Sequence, residues 1–325
     1  MRPSVLLTKR VPSAVHAKLE AACDVDLNRS DGKLSRDELL ARVAGKHGLV
    51  CLLTDRIDRD VIAAGRDLKV IANIAVGYDN IDIAAARERG IVVTNTPGVL
   101  TDAVAEFTWA LILGITRRVG EGERLTRANQ WKGWALDFLL GTQLTGKQLG
   151  IVGMGAIGRS VAAKAAAFGM RVAYIARDGR AQGRVEPPGA TAEDAYEPMG
   201  FDKLLVTSDV LSLHCPLTPE TRHLIDRKSL ARMKRTAYLV NTTRGPVVDE
   251  DGLVWALEQR LIAGAALDVF EEEPTIHPGL FALENVLLAP HIGSATVETR
   301  TAMADLAVSN ALAVLAGRPP LTPVG

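Results

Sequence analysis

The sequence predicts an α/β protein built on parallel sheets, and three observations carry that expectation. Short apolar runs alternate with amphipathic stretches along most of the chain, the pattern of strands joined by covering helices. A glycine-spaced loop, GMGAIG, stands between an apolar strand-like run and a helix-like one. The length, 325 residues, exceeds what one small domain needs and suits two.

In the first hundred residues, SVLLT (4–8), GLVCLLT (48–54), KVIANIA (69–75) and IVVTN (91–95) read as strands. SRDELLARVAGK and NIDIAAARERG read as helices, the first opened by a capping box of Ser35 and Glu38. The stretch DVDLNRSDGKLSRDEL has the look of a calcium loop, but its register fails. Counted from Asp24 the required glycine falls on Arg29, and counted from Asp26 it falls on Asp31. An acidic surface loop before a helix is the expectation there. TDAVAEFTWALILGITRRVGEGERLTRA is expected as one long helix with Thr101 as N-cap. NQWKGWALDFLLGTQLTGK then reads as an irregular loop region. Its Trp131 and Trp134 suit an anchor facing a partner or domain as well as they suit plain packing.

From Lys147 the pattern restarts. QLGIVGMGAIGRSVAAKAAAFGMRVAYIAR reads as strand, glycine loop, helix and strand. DVLSLHCPL, TAYLVNT, AGAALDVF and VLLAP are further strands, with helices over SLARM and EDGLVWALEQRLI between them. Residues 178–200, polar and rich in Gly and Pro, read as a surface loop. SATVETRTAMADLAVSNALAVLAG is a long, alanine-rich amphipathic helix, and the tail GRPPLTPVG is expected to be loosely ordered. Read in order, these form two αβ units, near 1–100 and 101–290.

Composition narrows the function. Nearly half the residues are apolar, and Lys plus Arg equals Asp plus Glu at 38 each, so no global charge draws the chain to nucleic acid or an anionic membrane. Cys23, Cys51 and Cys215 are widely separated and form no disulfide framework or metal-ligand spacing, so no metal is expected. The apolar part of the N-terminus is too short for a secretory signal, and FTWALILGI (107–115) falls well below the roughly 18 residues of a membrane span. A cytoplasmic location is the expectation.

The position of GMGAIG, after a strand and at the start of a helix, is the context that makes this spacing a dinucleotide site. Gly153 permits the tight turn, Gly155 lets backbone approach a pyrophosphate, and Gly158 allows close helix–strand packing. The helix N-terminus supplies N–H donors for the anion. At the end of the next strand, where an acidic residue would bond the ribose 2′-hydroxyl of NAD, stands Arg177, followed by Asp178. An arginine there can meet a 2′-phosphate, so NADP(H) is favoured and NAD(H) remains open.

Strand ends supply the other candidates. Arg244, in the turn NTTRGP, offers a fork for a carboxylate. His291 follows Pro290 at another strand end and is suited to proton donation. Glu271, Glu272 and Glu273 close a third strand, and one of them is placed to hold the histidine. Spacing alone leaves each a bland role as well: a turn cap, a core histidine, a solvated charge run.

The ordered series GMGAIG, HCPLTPETRHLI, NTTRGPVVDE, GAALDVFEEEP and APHIGSAT closely resembles the D-isomer-specific 2-hydroxyacid dehydrogenase family. ANIAVGYDNIDI resembles its substrate-loop region, so the resemblance spans nearly the whole chain. The chain looks most like the glyoxylate/hydroxypyruvate reductase branch. The resemblance implies two doubly wound Rossmann-like domains with parallel sheets and an active site in the cleft between them. A flavodoxin-like substrate domain would hold residues 1–100 plus 292–325, and a dinucleotide-binding domain residues 101–291. The sequential reading of the two units is thereby revised, because the last helix returns to the first domain.

The resemblance also implies roles. Backbone N–H groups around Val76 and Gly77 hold the substrate carboxylate. Arg244 holds the carboxylate and the carbonyl oxygen, His291 is the acid and Glu273 its partner, while Glu271 and Glu272 are surface charges. Cofactor contacts fall on Gly153, Gly155, Ala156, Ile157, Gly158, Arg177, Cys215, Thr221, Thr242, Asp268 and Gly293. His214 is read as local structure, and His277 as lining an interface or facing water. Pro246 stands where the family frequently has a second glycine, which removes one N–H and leaves Arg244 intact. The implied reaction is NAD(P)H-dependent reduction of a small 2-oxo acid, glyoxylate or hydroxypyruvate, by a homodimer with no nucleic-acid or membrane partner. Phosphoglycerate dehydrogenase is the nearest rival within the class, and a dinucleotide-sensing corepressor is the rival outside it.

Overall fold

The computed structural model describes residues 2–30, 32–175 and 196–324. The chain divides into two compact units, one of residues 1–100 and 295–325, the other of residues 101–294. The second crossing thus lies after Ser294, against an expected return at 292.

The first unit holds a parallel five-stranded sheet of order β2-β1-β3-β4-β5. Its strands are β1 (Ser4–Leu7), β2 (Asp24–Leu27), β3 (Gly48–Cys51), β4 (Val70–Asn73) and β5 (Val92–Thr94). Strands β3 and β4 are buried along their whole length, as expected of parallel strands covered on both faces. Helices α2 (Arg36–Val43), α3 (Arg59–Ala64) and α4 (Ile83–Glu88) close one core around Leu6, Leu49, Ile71 and Val93. The Ser35–Glu38 capping box is present. Helices α1 (Ser13–Ala22) and α11 (Val297–Leu315) pack together, and α11 also lies against β3, β4 and β5.

Two expectations change in this unit. Asp24–Leu27, read as part of a surface loop, is the edge strand β2, paired residue for residue with β1. Its Asp26 takes ion pairs from Arg42 at 2.5 Å and Lys46 at 3.0 Å. Charged residues are normal on a sheet edge. The tail is not loose either. Val324 N–H donates to Val93 O at 2.8 Å, and Pro323 bridges Thr94 in antiparallel fashion.

The second unit holds a parallel seven-stranded sheet of order β12-β11-β10-β9-β6-β7-β8. Its strands are β6 (Gln148–Val152), β7 (Arg171–Ile175), β8 (Glu197–Pro198), β9 (Val210–Leu213), β10 (Tyr238–Asn241), β11 (Gly264–Leu267) and β12 (Val286–Leu288). Its helices are α5 (Thr101–Thr116), α6 (Val119–Arg127), α7 (Ala156–Ala165), α8 (Phe201–Thr207), α9 (Arg227–Arg232) and α10 (Glu250–Glu258). Side chains alternate between faces with the strand period. Leu149, Ile151, Val210 and Val240 join the core under α5 and α7, while Leu211, Leu239 and Leu267 join the core under α8, α9 and α10. Trp109 of α5 stacks on Phe168 at 4.4 Å and donates its indole N–H to Val161 O at 3.0 Å.

The order reverses at β6, which has β7 on one side and β9 on the other. Ligands of doubly wound sheets collect at the carboxyl ends of strands flanking such a reversal. The expected single helix over 101–128 is two. It breaks at Arg118, which is left-handed at φ 54°. Residues 178–195 lie outside the described residues, and the end of that expected loop, Glu197–Pro198, is strand β8. Among the described residues no helix is long and apolar enough to cross a membrane.

Candidate active site

The glycine turn is built by contact distances. Gly153, at φ 101°, donates its N–H to Ile175 O at 2.9 Å. A Cβ on it would stand 2.7 Å from Cys215 N and 2.8 Å from His214 O, so any side chain is excluded. A Cβ on Gly158 would stand 2.2 Å from Gly153 O, because α7 meets the strand end there. Gly155 differs: a Cβ on it meets nothing within 4 Å. No side chain caps α7, whose first residues are Ala156 and Ile157, so its N-terminal N–H groups fit a pyrophosphate and the open side of Gly155 fits its close approach. Gly155→Ala is therefore expected to leave the thermal midpoint nearly unchanged while raising the KM for dinucleotide at least about tenfold. Gly158→Ala is expected to cost about 1–3 kcal/mol in denaturant titration. Arg177 and Asp178 lie outside the described residues.

At the end of β9, Cys215 is buried and its thiol is pushed up to about 11 by loss of solvation. Its carbonyl accepts from Thr243 Oγ1 at 2.5 Å. The half-buried His214 is pulled down to about 4 by the same effect and pairs with Ser212 Oγ at 2.9 Å, which is a local structural role. Thr221 closes its own loop: its hydroxyl donates to Pro216 O at 2.6 Å and accepts from Thr218 N–H at 2.8 Å.

The turn after β10 is held by Asn241, which is fully buried. Its side chain accepts from Thr243 N–H at 3.1 Å and donates to Arg244 O at 2.9 Å. Thr242 meets Thr108 of α5 at 3.0 Å, and since Thr108 also donates to Val104 O, Thr242 is the donor of that pair. Gly245 is fixed by space, since a Cβ would fall 1.8 Å from Phe270 O. Arg244 is half-buried, donates to Thr243 O at 2.9 Å and lies close enough to Glu273 to help hold that carboxyl ionised.

The ends of β11 and β12 meet at Asp268. One carboxylate oxygen accepts from Ile292 N–H and the other from Gly293 N–H, each at 2.8 Å. The Asp268 carbonyl accepts from His291 N–H at 2.8 Å. Burial raises this carboxyl despite those bonds. His291 sits at φ 55°, a conformation uncommon for a non-glycine residue, and Asp268 holds it there through three successive amides. His291 Nδ1 lies 2.8 Å from Glu273 Oε2, and Phe270 N–H donates to Glu273 Oε1 at 3.1 Å. Burial alone would raise the Glu273 carboxyl. The bond and charge of His291, with the Phe270 amide and Arg244, outweigh it and bring it below the ordinary carboxylate value. A carboxylate only accepts, so Nδ1 carries the proton of that bond and Nε2 is left for proton transfer.

Two neighbouring residues depart from expectation. Glu271 is not a plain surface charge. It pairs with His223 at 2.5 Å and Arg222 at 3.3 Å, and its N–H donates to the buried Glu250 at 2.8 Å. His277 does not simply face water: it caps Gly279 N–H at 3.1 Å and meets Asp251 at 2.9 Å. Thr108 and Glu250 escaped the sequence reading, because a mid-helix threonine and a first-turn glutamate carry no local signal.

Val76 and Gly77 lie in the first unit, in the loop after β4. The Val76 carbonyl accepts from Asn95 Nδ2 at 2.8 Å and the Gly77 carbonyl from Asn73 Nδ2 at 2.9 Å.

A family model described as D-isomer specific 2-hydroxyacid dehydrogenase, NAD binding domain, matches residues 109–293. A glyoxylate reductase of Thermofilum pendens is 49% identical over 98% of the chain and 93% of its own length. The crystal structure of the TT0316 protein from Thermus thermophilus matches with a TM-score of 0.90 at 47% identity, covering 99% of this chain and 100% of that one. An NADPH-dependent glyoxylate/hydroxypyruvate reductase from Sinorhizobium meliloti, in complex with NADP and malonate, matches with a TM-score of 0.85 at 31% identity, covering 100% of this chain and 97% of that one.

Proposed function

The chain belongs to the D-isomer specific 2-hydroxyacid dehydrogenase family and is an NAD(P)-dependent oxidoreductase, and from that premise we propose that it reduces the C2 carbonyl of glyoxylate or hydroxypyruvate to the 2-hydroxy acid, with NADPH preferred. The observation that carries this reading is the His291–Glu273 pair, 2.8 Å apart and seated on the Asp268 clamp at the carboxyl ends of β11 and β12.

The residues divide the work. The N–H groups at the start of α7, with Gly153 and Gly155, hold the pyrophosphate. Cys215, Thr221, Thr242, Asp268 and Gly293 border the rest of the dinucleotide. When bound, the reduced nicotinamide supplies a hydride to C2. Backbone N–H groups of Val76 and Gly77 hold the substrate carboxylate. The Arg244 guanidinium binds carboxylate and stabilises charge developing on the carbonyl oxygen. His291, with Nδ1 fixed by Glu273, gives its Nε2 proton to the nascent alkoxide.

NADPH preference rests on Arg177 at the expected ribose position and on the NADP complex of the Sinorhizobium meliloti relative. A panel of glyoxylate, hydroxypyruvate, pyruvate and 3-phosphohydroxypyruvate, each with NADPH and NADH, tests both assignments. The expected result is kcat/KM at least about tenfold higher with NADPH, on glyoxylate or hydroxypyruvate. Equal or better use of NADH would remove the coenzyme assignment, and activity confined to the phosphorylated acid would remove the substrate.

A cytoplasmic homodimer completes the proposal. Its support is an apolar stretch of the second unit in which Trp131, Trp134, Leu136 and Leu140 are 57, 80, 81 and 64% exposed. Light scattering would detect a monomer if that assignment were wrong.

A further inference from the structure

The carboxyl-terminal tail, by its composition a loose end, is bonded through two residues to the loop of Val76 and Gly77. The route begins at Asn310, fully buried in α11. Its Oδ1 accepts from Leu321 N–H at 2.8 Å and Thr322 N–H at 3.0 Å, and its Nδ2 donates to Leu306 O at 3.0 Å and Thr322 Oγ1 at 2.8 Å. Both donor and both acceptor positions of the amide are used, so its orientation is unambiguous. The Thr322 hydroxyl, accepting from Asn310, gives its proton to Asn95 O at 2.6 Å, and Asn95 N–H returns a bond to Thr322 O at 3.3 Å. Asn95 in turn donates from Nδ2 to Val76 O at 2.8 Å.

That last bond sets a direction. In a planar trans peptide the carbonyl of one residue and the N–H of the next point opposite ways. Holding the Val76 carbonyl therefore aims the Gly77 N–H. The same rule applies on either side: Thr96 N–H holds Ala75 O at 2.8 Å, which aims the Val76 N–H, and Asn73 Nδ2 holds Gly77 O at 2.9 Å. Three consecutive carbonyls are tied back, and the amides after them face the other way.

We propose that the tail is a positioning strap for the substrate loop. Thr322, locked by Asn310, fixes Asn95, and Asn95 fixes the peptide whose N–H receives the substrate carboxylate. This rests on the reading of Val76 and Gly77 as the carboxylate-binding amides. Asn95 and Thr322 touch no substrate in this scheme. They act through the Val76–Gly77 peptide, so their loss weakens substrate binding more than turnover.

The test is steady-state kinetics on the full-length chain, with binding of oxalate as a carboxylate probe. Asn95→Ala is expected to raise the KM for glyoxylate and the Kd for oxalate about tenfold, the scale of one well-placed hydrogen bond. Its kcat and its KM for dinucleotide stay within about twofold. Thr322→Val moves the same two constants in the same direction, Thr322→Ser restores them, and the double variant Asn95→Ala/Thr322→Val is no worse than Asn95→Ala, because the residues act in series. Asn95→Asp, which keeps the shape and removes the donor, replaces the alanine variant should that one fail to fold. Gly77→Pro, which deletes the amide itself, separates the two readings. If it raises the glyoxylate KM while Asn95→Ala and Thr322→Val leave it alone, the strap is wrong and the loop assignment stands. If Gly77→Pro also leaves it alone, the loop assignment falls and the strap with it. A fall in kcat equal to the rise in KM, or additive effects in the double variant, would likewise overturn the strap.

Discussion

Replacing His291 by alanine is expected to lower kcat for 2-oxo acid reduction by about 10²- to 10⁴-fold, the range of a positioned general acid. The KM for dinucleotide should hardly change. The glycine turn is built by Gly153, Gly155 and Gly158 on β6 and α7, and the atoms that crowd these glycines do not include the histidine ring. The Asp268 clamp grips backbone amides, so it too survives loss of the ring. Glu273→Gln should fall between wild type and His291→Ala, since it keeps the residue's length and removes the charge that fixes Nδ1. Unchanged turnover in His291→Ala would end the assignment. Stability gives a second readout. Glu273 lies below the ordinary carboxylate value in the folded chain. Its contribution is therefore complete above the unfolded value of about 4.3 and is lost as pH falls through the lower folded one. The gap in urea midpoint between wild type and Glu273→Gln should be largest near neutrality and close in acid.

Arg244→Ala should lower kcat/KM by about 10²- to 10⁴-fold, the loss of two charge-assisted hydrogen bonds. Both constants should suffer, because in the proposed mechanism the same guanidinium binds the carboxylate and meets charge on the carbonyl oxygen. Arg244→Lys should recover only part of the loss, since an ammonium keeps charge without the planar fork. Folding is not the expected cause. The turn is held by Asn241 through the Arg244 carbonyl and the Thr243 amide, and Gly245 is seated against Phe270, all independent of the arginine side chain. A variant with raised KM and unchanged kcat would restrict Arg244 to ground-state binding.

The strands of both sheets were readable wherever they were apolar, because parallel strands covered on both faces leave little choice of residue. What escaped depended on distant partners. The break between α5 and α6 falls where the apolar spacing gives way to a polar stretch with Gly120 and Gly122. There Thr142, returning from the irregular segment, donates its N–H to Thr116 O at 2.7 Å. The edge strand β2 hid behind its aspartates until Arg42 and Lys46 came across to Asp26. The tail looked loose because prolines cannot reveal the buried amide of Asn310. At the candidate site, Arg244 and His291 were legible from their places at strand ends, and the family motif singled out Glu273 from three neighbouring glutamates. Asp268 was legible as a position but not as a clamp, since nothing in a run of residues tells which amides a carboxylate will find.

That clamp bears on how the protein spends its time between turnovers. A histidine in left-handed backbone on a free loop would drift to easier conformations whenever ligands left, and would have to be recruited again. With its own amide and the next two anchored to one aspartate, the ring's seat is decided once, during folding. In the proposed mechanism each new substrate then meets an acid already in place, and the ordering entropy of that step does not recur with every cycle.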